Sequence, residues 1–186
     1  MTSTMRRPIK RDPGIREPEP WVVRHAACIE PGGSVLDVAS GRGRHARHLL
    51  AQGHAVTAID IDTSGLTDAA HEAALEIVQA DLEGGPWPLP ERSFAAVVMV
   101  NYLWRTLLPV LVASVDVGGV LIVDTFAQGQ QTFGRPRNPD FLLRPGELLE
   151  AVRGRLDVHA YEHGIIERAG ASRVMRQRIC ARRPPA

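Results

Sequence analysis

The stretch Val35-Leu-Asp-Val-Ala-Ser-Gly-Arg-Gly-Arg-His-Ala-Arg-His-Leu-Leu50 decides how the rest of the chain is read. Val35, Leu36 and Val38 are strand formers in a short apolar run. Gly41 and Gly43 open the backbone where a Cβ would block a tight turn or an approaching ligand. Ala46, Leu49 and Leu50 fall at helical spacing, and Gly53 is a natural stop. A buried strand, a glycine turn and a helix are therefore predicted. Such a turn aims backbone N–H groups at an anionic or strongly polar ligand.

Downstream, strand and helix signals alternate. Ala55–Asp60 is a second strand, and Asp60 lies nineteen positions after Gly41. At that spacing the second parallel strand brings an acid to a ribose. Thr63 or Ser64 is expected to cap a helix that packs through Leu66, Ala69, Ala70 and Ala73. Leu75–Gln79 is a third strand, followed at once by Asp81-Leu82. Three strands thus end in carboxylates, Asp37, Asp60 and Asp81, and in a parallel sheet those ends share one ligand-binding rim.

Phe94–Val100 is a continuous apolar run, as expected of a central strand covered on both faces. It delivers Asn101-Tyr-Leu-Trp-Arg105 to the rim. A helix is predicted over Thr106–Val115, with Pro109 in its first turn, and Gly118-Gly119 then leads into a fifth strand, Val120–Phe126. Ala127–Leu143 is a long Gly/Pro/Asn-rich loop of the kind that is usually functional. Pro145 and Gly154 bracket a last helix, and Leu156–Tyr161 and Arg173–Ala181 read as an antiparallel pair. The alternation implies an α/β fold, a doubly wound, mostly parallel sheet with helices on both faces.

The 186 residues hold 22 Lys and Arg against 21 Asp and Glu, which argues against a general nucleic-acid or membrane binder. Residues 1–20, basic and Pro-rich, are expected to be a flexible arm without the apolar core of a signal peptide. Trp21–Ile29 is predicted to be a short amphipathic helix, and residues 21–182 a single domain. No apolar run reaches membrane-spanning length. Cys28 and Cys180 look isolated, too few for a disulfide framework or zinc site, and suit a reducing cytoplasm. His45 and His48 lack a third nearby ligand, so no metal is expected.

Two cofactor patterns overlap on the opening stretch. Gly41-x-Gly43-x-x-Ala46 fits the dinucleotide pattern in its alanine form. Asp37-x-Ala39-x-Gly41-x-Gly43 fits the acidic glycine loop of class I S-adenosylmethionine (SAM) methyltransferases. Asp37 tips the balance, because a dinucleotide strand usually stays apolar up to its first glycine. With Asp60, Asp81-Leu82 and the closing strand pair, residues 21–182 resemble that methyltransferase family. Ser40–Ala46 with Asn101-Tyr102-Leu103 is most similar to small tellurite-resistance-like methyltransferases. Two departures are Ala39 in place of the first glycine, and Asn101-Tyr102 without the Pro-Pro of Asn-Pro-Pro-Tyr amino-methylating enzymes.

The resemblance implies a Rossmann-like, seven-stranded sheet and SAM as cofactor. It gives the methionine part of SAM to the loop of Asp37, Ala39, Gly41 and Gly43. It gives the ribose to Asp60 with Ile61, and adenine to Asp81 with Leu82. Asn101 and Tyr102 would flank the transferred methyl, Asn101 also touching the cofactor. Trp104, Arg105 and Phe133 are expected to form the acceptor pocket, with Arg105 orienting a polar acceptor and acting in catalysis beside Asn101 and Tyr102. The activity implied is methyl transfer, by in-line displacement, to a small-molecule or exposed acceptor. Two alternatives stay open: an NAD(P)-dependent oxidoreductase, in which Asp37 and Asp81 have no ligand role, and a non-catalytic SAM- or partner-binding module. The basic cluster Arg42, Arg44, His45, Arg47 and His48 opposes a helix dipole. It is expected to be offset by rim carboxylates, the cofactor's carboxylate or an anionic substrate, with Arg47 and His48 alternatively facing solvent.

Overall fold

The computed structural model describes residues 16–167 and 172–185. Its strands are β1 (Ser34–Val38), β2 (Ala55–Asp60), β3 (Leu75–Gln79), β4 (Phe94–Val100), β5 (Val115–Phe126), β6 (Asp157–Glu167) and β7 (Arg173–Arg182). They form one sheet in the order β3-β2-β1-β4-β5-β7-β6. The first five are parallel, and β7 runs antiparallel between β5 and β6.

Residues that alternate along β1 serve opposite cores. Leu36 and Val38 join the core that holds Leu107, Leu111, Leu148 and Val152. These come from the helical segments before and within α3 (Leu108–Ala113) and from α4 (Glu147–Val152). Val35 joins the other core, with Trp21 and Val22 of α1 (Pro20–His25) and Ala46, Leu49 and Leu50 of α2 (Arg44–Ala51). Helices on both faces explain why β4 is apolar throughout rather than alternating. Among the described residues, no helix is long and apolar enough to cross a membrane.

The strands predicted over 55–60, 75–79 and 94–100 lie where expected. The helices depart more. Between β2 and β3 the chain makes only a 3-10 segment, Ser64–Ala69, and Thr63 makes no side-chain cap. Leu66 and Ala69 are buried as expected, but Ala70 and Ala73 are exposed. The helix predicted to reach Val115 stops at Ala113, because Val115 already pairs with Phe94 at the start of β5. The last two strands run longer than predicted, as an eleven- and a ten-residue pair. Residues 1–15 of the expected arm lie outside the described residues. Closer to α1, Glu19 is buried and its carboxylate accepts from Arg44 at 3.1 Å.

A candidate cofactor cleft at the carboxyl ends of the strands

Asp37 shares the face of Val35, which turns it under α2. It is 1% exposed, and its Oδ2 accepts the Ala46 N–H at 3.0 Å. Burial pushes its carboxyl up to about 7, against the pull of that N–H and of Arg44. His45 lies beside it. Its Nε2 accepts the Glu19 N–H at 3.3 Å, and burial, then Arg44, push the imidazole down to about 3. A neutral ring that accepts at Nε2 carries its proton on Nδ1, which stands 4.0 Å from Asp37 Oδ1. The basic cluster is offset by side chains off the rim: Arg44 pairs with Glu19, and Arg47 with Asp68.

The two loop glycines do different work. Gly41 has φ +54°, and a Cβ there would project into open space. Its N–H donates to Asp60 Oδ2 at 2.7 Å, and Asp60 Oδ1 accepts the Asp62 N–H at 3.0 Å. A Cβ on Gly43 would collide with Leu66, so Gly43 is bare to let the segment after β2 pack on the loop. Ala39 and Asn101, at the ends of β1 and β4, also hold positive φ, 52° and 57°. For a side-chain-bearing residue this costs about 1–3 kcal/mol and gathers at functional sites.

A cleft of about 410 Å³ opens among these strand ends. Asp60 and Ile61 line it from β2, Ala80, Asp81, Leu82 and Glu83 from beyond β3, and Ala39 and Tyr102 from β1 and β4. Three of these residues are carboxylates, and no cationic side chain among the described residues lines the cleft. Asp81 is held by its own turn, its Oδ1 accepting the N–H groups of Glu83 and Gly84 at 2.9 and 3.1 Å. Ile61 is 63% exposed at the lip. The Tyr102 hydroxyl is buried beside the Glu83 carboxylate.

On the other side of β4 the charges are paired. Arg176, 1% exposed, donates from Nε to Asp124 Oδ1 at 2.7 Å and from Nη2 to the Asp124 carbonyl at 2.8 Å. Its Nη1 donates to Asn101 Oδ1 at 2.7 Å. Burial pushes the Asp124 carboxyl up while Arg176 pulls it back. Arg105 donates to both Glu147 carboxylate oxygens, at 2.7 and 3.1 Å, and to the carbonyls of Asp140 and Leu142 at 2.7 Å each. Burial works against the Glu147 carboxylate, but the bonds from Arg105 and the Arg144 N–H prevail and hold it below the usual range.

With strand order, glycine loop and strand-end acids in place, the comparisons with known proteins can be read. Residues 35–115 match the family model described as a methyltransferase domain. That stretch, residues 35–115 of the 186, is similar to a methyltransferase domain. Solved structures share its fold at low identity. TehB from Haemophilus influenzae superposes with a TM-score of 0.70 at 19% identity, over 87% of this chain and 61% of that one. A SAM-dependent methyltransferase from Methanosarcina mazei does so at 0.67 and 14%, over 92% of this chain and 100% of that one. The 1,6-didemethyltoxoflavin-N1-methyltransferase of Burkholderia thailandensis, solved with 1,6-didemethyltoxoflavin and S-adenosylhomocysteine, gives 0.64 and 19%, over 88% and 76%. The chain thus spans 61% of the TehB chain's length. No curated protein matches it.

In this fold the cleft gathers Ala39, Asp60, Ile61, Asp81, Leu82 and Tyr102 of the residues expected from the sequence. Gly41 joins them through Asp60. Asp37 and Gly43 stand behind the loop and support it. Trp104 is half-buried against the core below α3, and Phe133 is 36% exposed with the Arg173 guanidinium 5.5 Å over its ring. Arg105 differs most from expectation. Its guanidinium fastens the Ala127–Leu143 loop to α4 and is not left to orient an acceptor. Glu83 and Arg176 escaped the sequence reading. Glu83 could have been found as a third acid beside Asp81, and Asp124, inside an apolar strand, signalled a buried cationic partner.

Proposed function

We propose that this chain transfers a methyl group from SAM to a small, polar acceptor molecule. The observation that carries the reading is the charge of the cleft: Asp60, Asp81 and Glu83, with no cation among the described residues that line it. Ionised carboxylates accept hydrogen bonds and donate none. A fitting ligand therefore brings donors or positive charge. SAM brings ribose hydroxyls, an adenine amine and a sulfonium, whereas a dinucleotide brings a pyrophosphate that three carboxylates repel. The volume suits a ligand site, which typically spans about 300–1,000 Å³. The open space over Gly41 fits such a ligand too.

In this reading Asp60 receives the ribose hydroxyls and Asp81 the adenine amine, while Ile61 and Leu82 cover the base. Ala39 and Gly41 lie under the methionine end, and Asp37 holds the loop in place from behind. When bound, SAM supplies a methyl on a positively charged sulfur, which an acceptor atom takes by in-line attack. Burial, then Glu83, push the Tyr102 phenol upward, so it stays protonated and acts as a hydrogen-bond donor rather than a base. Asn101, its Oδ1 held by Arg176, offers its amide N–H groups at the end of β4. With so good a leaving group, positioning supplies most of the rate. Trp104 and Phe133 form the apolar side of the acceptor pocket, and Arg105 keeps the loop that carries Phe133 in place. Residues 21–182 act as one catalytic unit. The free thiols of Cys28 and Cys180 fit a reducing compartment, the cytoplasm.

Calorimetry on two variants tests this. Asp60→Ala removes two charge-assisted hydrogen bonds, and SAM affinity should fall by about 2–3 kcal/mol, or roughly 30–150-fold. Asp81→Ala should lower it about tenfold. Folded variants that both bind SAM like the wild type would contradict the assignment. An effect of Asp60→Ala alone would favour the dinucleotide reading.

A further inference from the structure

A turn after the first helix and the seventh strand bring three soft donors together, away from the cofactor cleft. α1 ends at His25, the 3-10 turn after it ends at Cys28, and β7 carries Cys180. One ligand atom from each lies within 4.8 Å of the other two. Cys180 is fully buried and His25 is 5% exposed, while Cys28 is half-buried. His25 Nε2 is buried and has no hydrogen-bond partner among the described residues. The Trp21 ring fixes the imidazole edge-on, at 4.3 Å between centroids. Cys180 sits mid-sheet, in register with Ile122 of β5 and Ala160 of β6, so its backbone is held from both sides. None of the three has a part in the methyl transfer described above.

We propose that His25, Cys28 and Cys180 bind one thiophilic divalent cation, Zn²⁺. Two thiolates and one imidazole are a zinc donor set, with Zn–S near 2.3 Å and Zn–N near 2.0–2.1 Å. At tetrahedral angles those lengths put donor atoms about 3.5–4 Å apart. A spread of up to 4.8 Å closes to that by shifts of roughly 1 Å among the donors. On binding, the two thiols release their protons to solvent, two Zn–S bonds and one Zn–N bond form, and nothing is oxidised. Two thiolates neutralise the ion, so no net charge remains in the apolar packing around Trp21 and Val22. A water completes the tetrahedron. Of the three donors only Cys28 lines the cleft of about 480 Å³ at the amino ends of β4 and β5, away from the cofactor rim, so an ion from that side enters past Cys28. The expectation that the cysteines stand alone fails because the sheet, not the sequence, makes them neighbours.

The test uses the whole chain, reduced and metal-stripped under anaerobic conditions, and titrated with Zn²⁺ against a chromophoric chelator. Co²⁺ serves as a spectroscopic probe. One equivalent of Zn²⁺ per chain should bind and raise the melting temperature, and Co²⁺ should give sulfur-to-metal charge transfer with the intense visible bands of a tetrahedral site. Cys28→Ala should keep the metal-free melting temperature and SAM affinity of the wild type. Its Zn²⁺ affinity should fall by more than the roughly 10–100-fold that loss of an outer partner costs. His25→Ala should lose affinity likewise. No stoichiometric binding by the reduced wild type overturns the proposal. So does binding that both variants retain, or a Cys28–Cys180 disulfide that forms in air while the reduced chain takes up no Zn²⁺.

Discussion

The two halves of the sheet's carboxyl edge are built in opposite ways. Beyond β2 and β3, the Asp60 and Asp81 carboxylates face an open cleft and are steadied only by backbone N–H groups of neighbouring turns. Beyond β4 and β5, Arg176 is matched to Asp124 and Asn101, and Arg105 to Glu147 and two carbonyls. One half leaves carboxylate acceptors facing the cleft, and the other uses its charges to hold the chain together. Substitutions in the first half should therefore change binding, and those in the second should change stability first.

The sharpest contrast comes from Arg176→Met. It leaves Asp124, 1% exposed, without its counter-charge. Breaking a buried pair from one side costs about 3–5 kcal/mol, which urea unfolding would read directly. A loss of SAM affinity with stability intact would break the comparison, because Arg176 would then belong to the ligand half.

Arg105→Ala should have a smaller effect, about 1–3 kcal/mol, since Glu147 is left buried with fewer donors. The Ala127–Leu143 loop should become sensitive to protease while SAM affinity stays near that of the wild type. Methyl transfer should fall about ten- to a hundredfold through misplacement of the loop wall. Reduced turnover with neither lost stability nor a loosened loop would return Arg105 to the acceptor.

A third effect lies under the glycine loop and is a pH dependence. The folded pKa of Asp37, about 7, stands above its ordinary value of 3.8. Folding thus takes up a proton between those values, and stability falls as pH rises through the window. The folded pKa of His45, about 3, stands below 6.5, so stability rises with pH between those values. The two slopes oppose each other wherever the windows overlap. Asp37→Asn removes the first and uncovers the second, so stability should climb by up to about 1.4 kcal/mol per pH unit across the overlap. Urea midpoints at several pH values would show it, and parallel pH profiles for wild type and variant would contradict it.

The open, acidic half was legible in the sequence because its parts are local. Asp60 ends β2 and Asp81 lies just beyond β3, and parallel pairing alone puts those ends on one rim, whereas Asp37, expected there too, lies buried inside β1. The structural half was not legible, because its partners are distant: Arg105 meets Glu147 across 42 residues, and Arg176 meets Asp124 across 52. An arginine at a rim invites a ligand role, and only the fold shows it already bonded. The missing helix after β2 has a local cause read too generously. Gly65 packs where a Cβ would meet the Arg42 Cα at 2.8 Å, and Leu66 fills the space that Gly43 leaves. Close approach to the loop set that segment's path, and the helical spacing of its alanines did not.

The central claim, that the acidic cleft is a SAM site, is tested most directly by calorimetric titration of the wild-type chain with SAM, S-adenosylhomocysteine and NAD(H) under one set of conditions. The account predicts saturable, one-to-one binding of SAM and S-adenosylhomocysteine, and no binding of NAD(H) at matched concentrations. Binding of NAD(H) with neither SAM nor S-adenosylhomocysteine bound would contradict it.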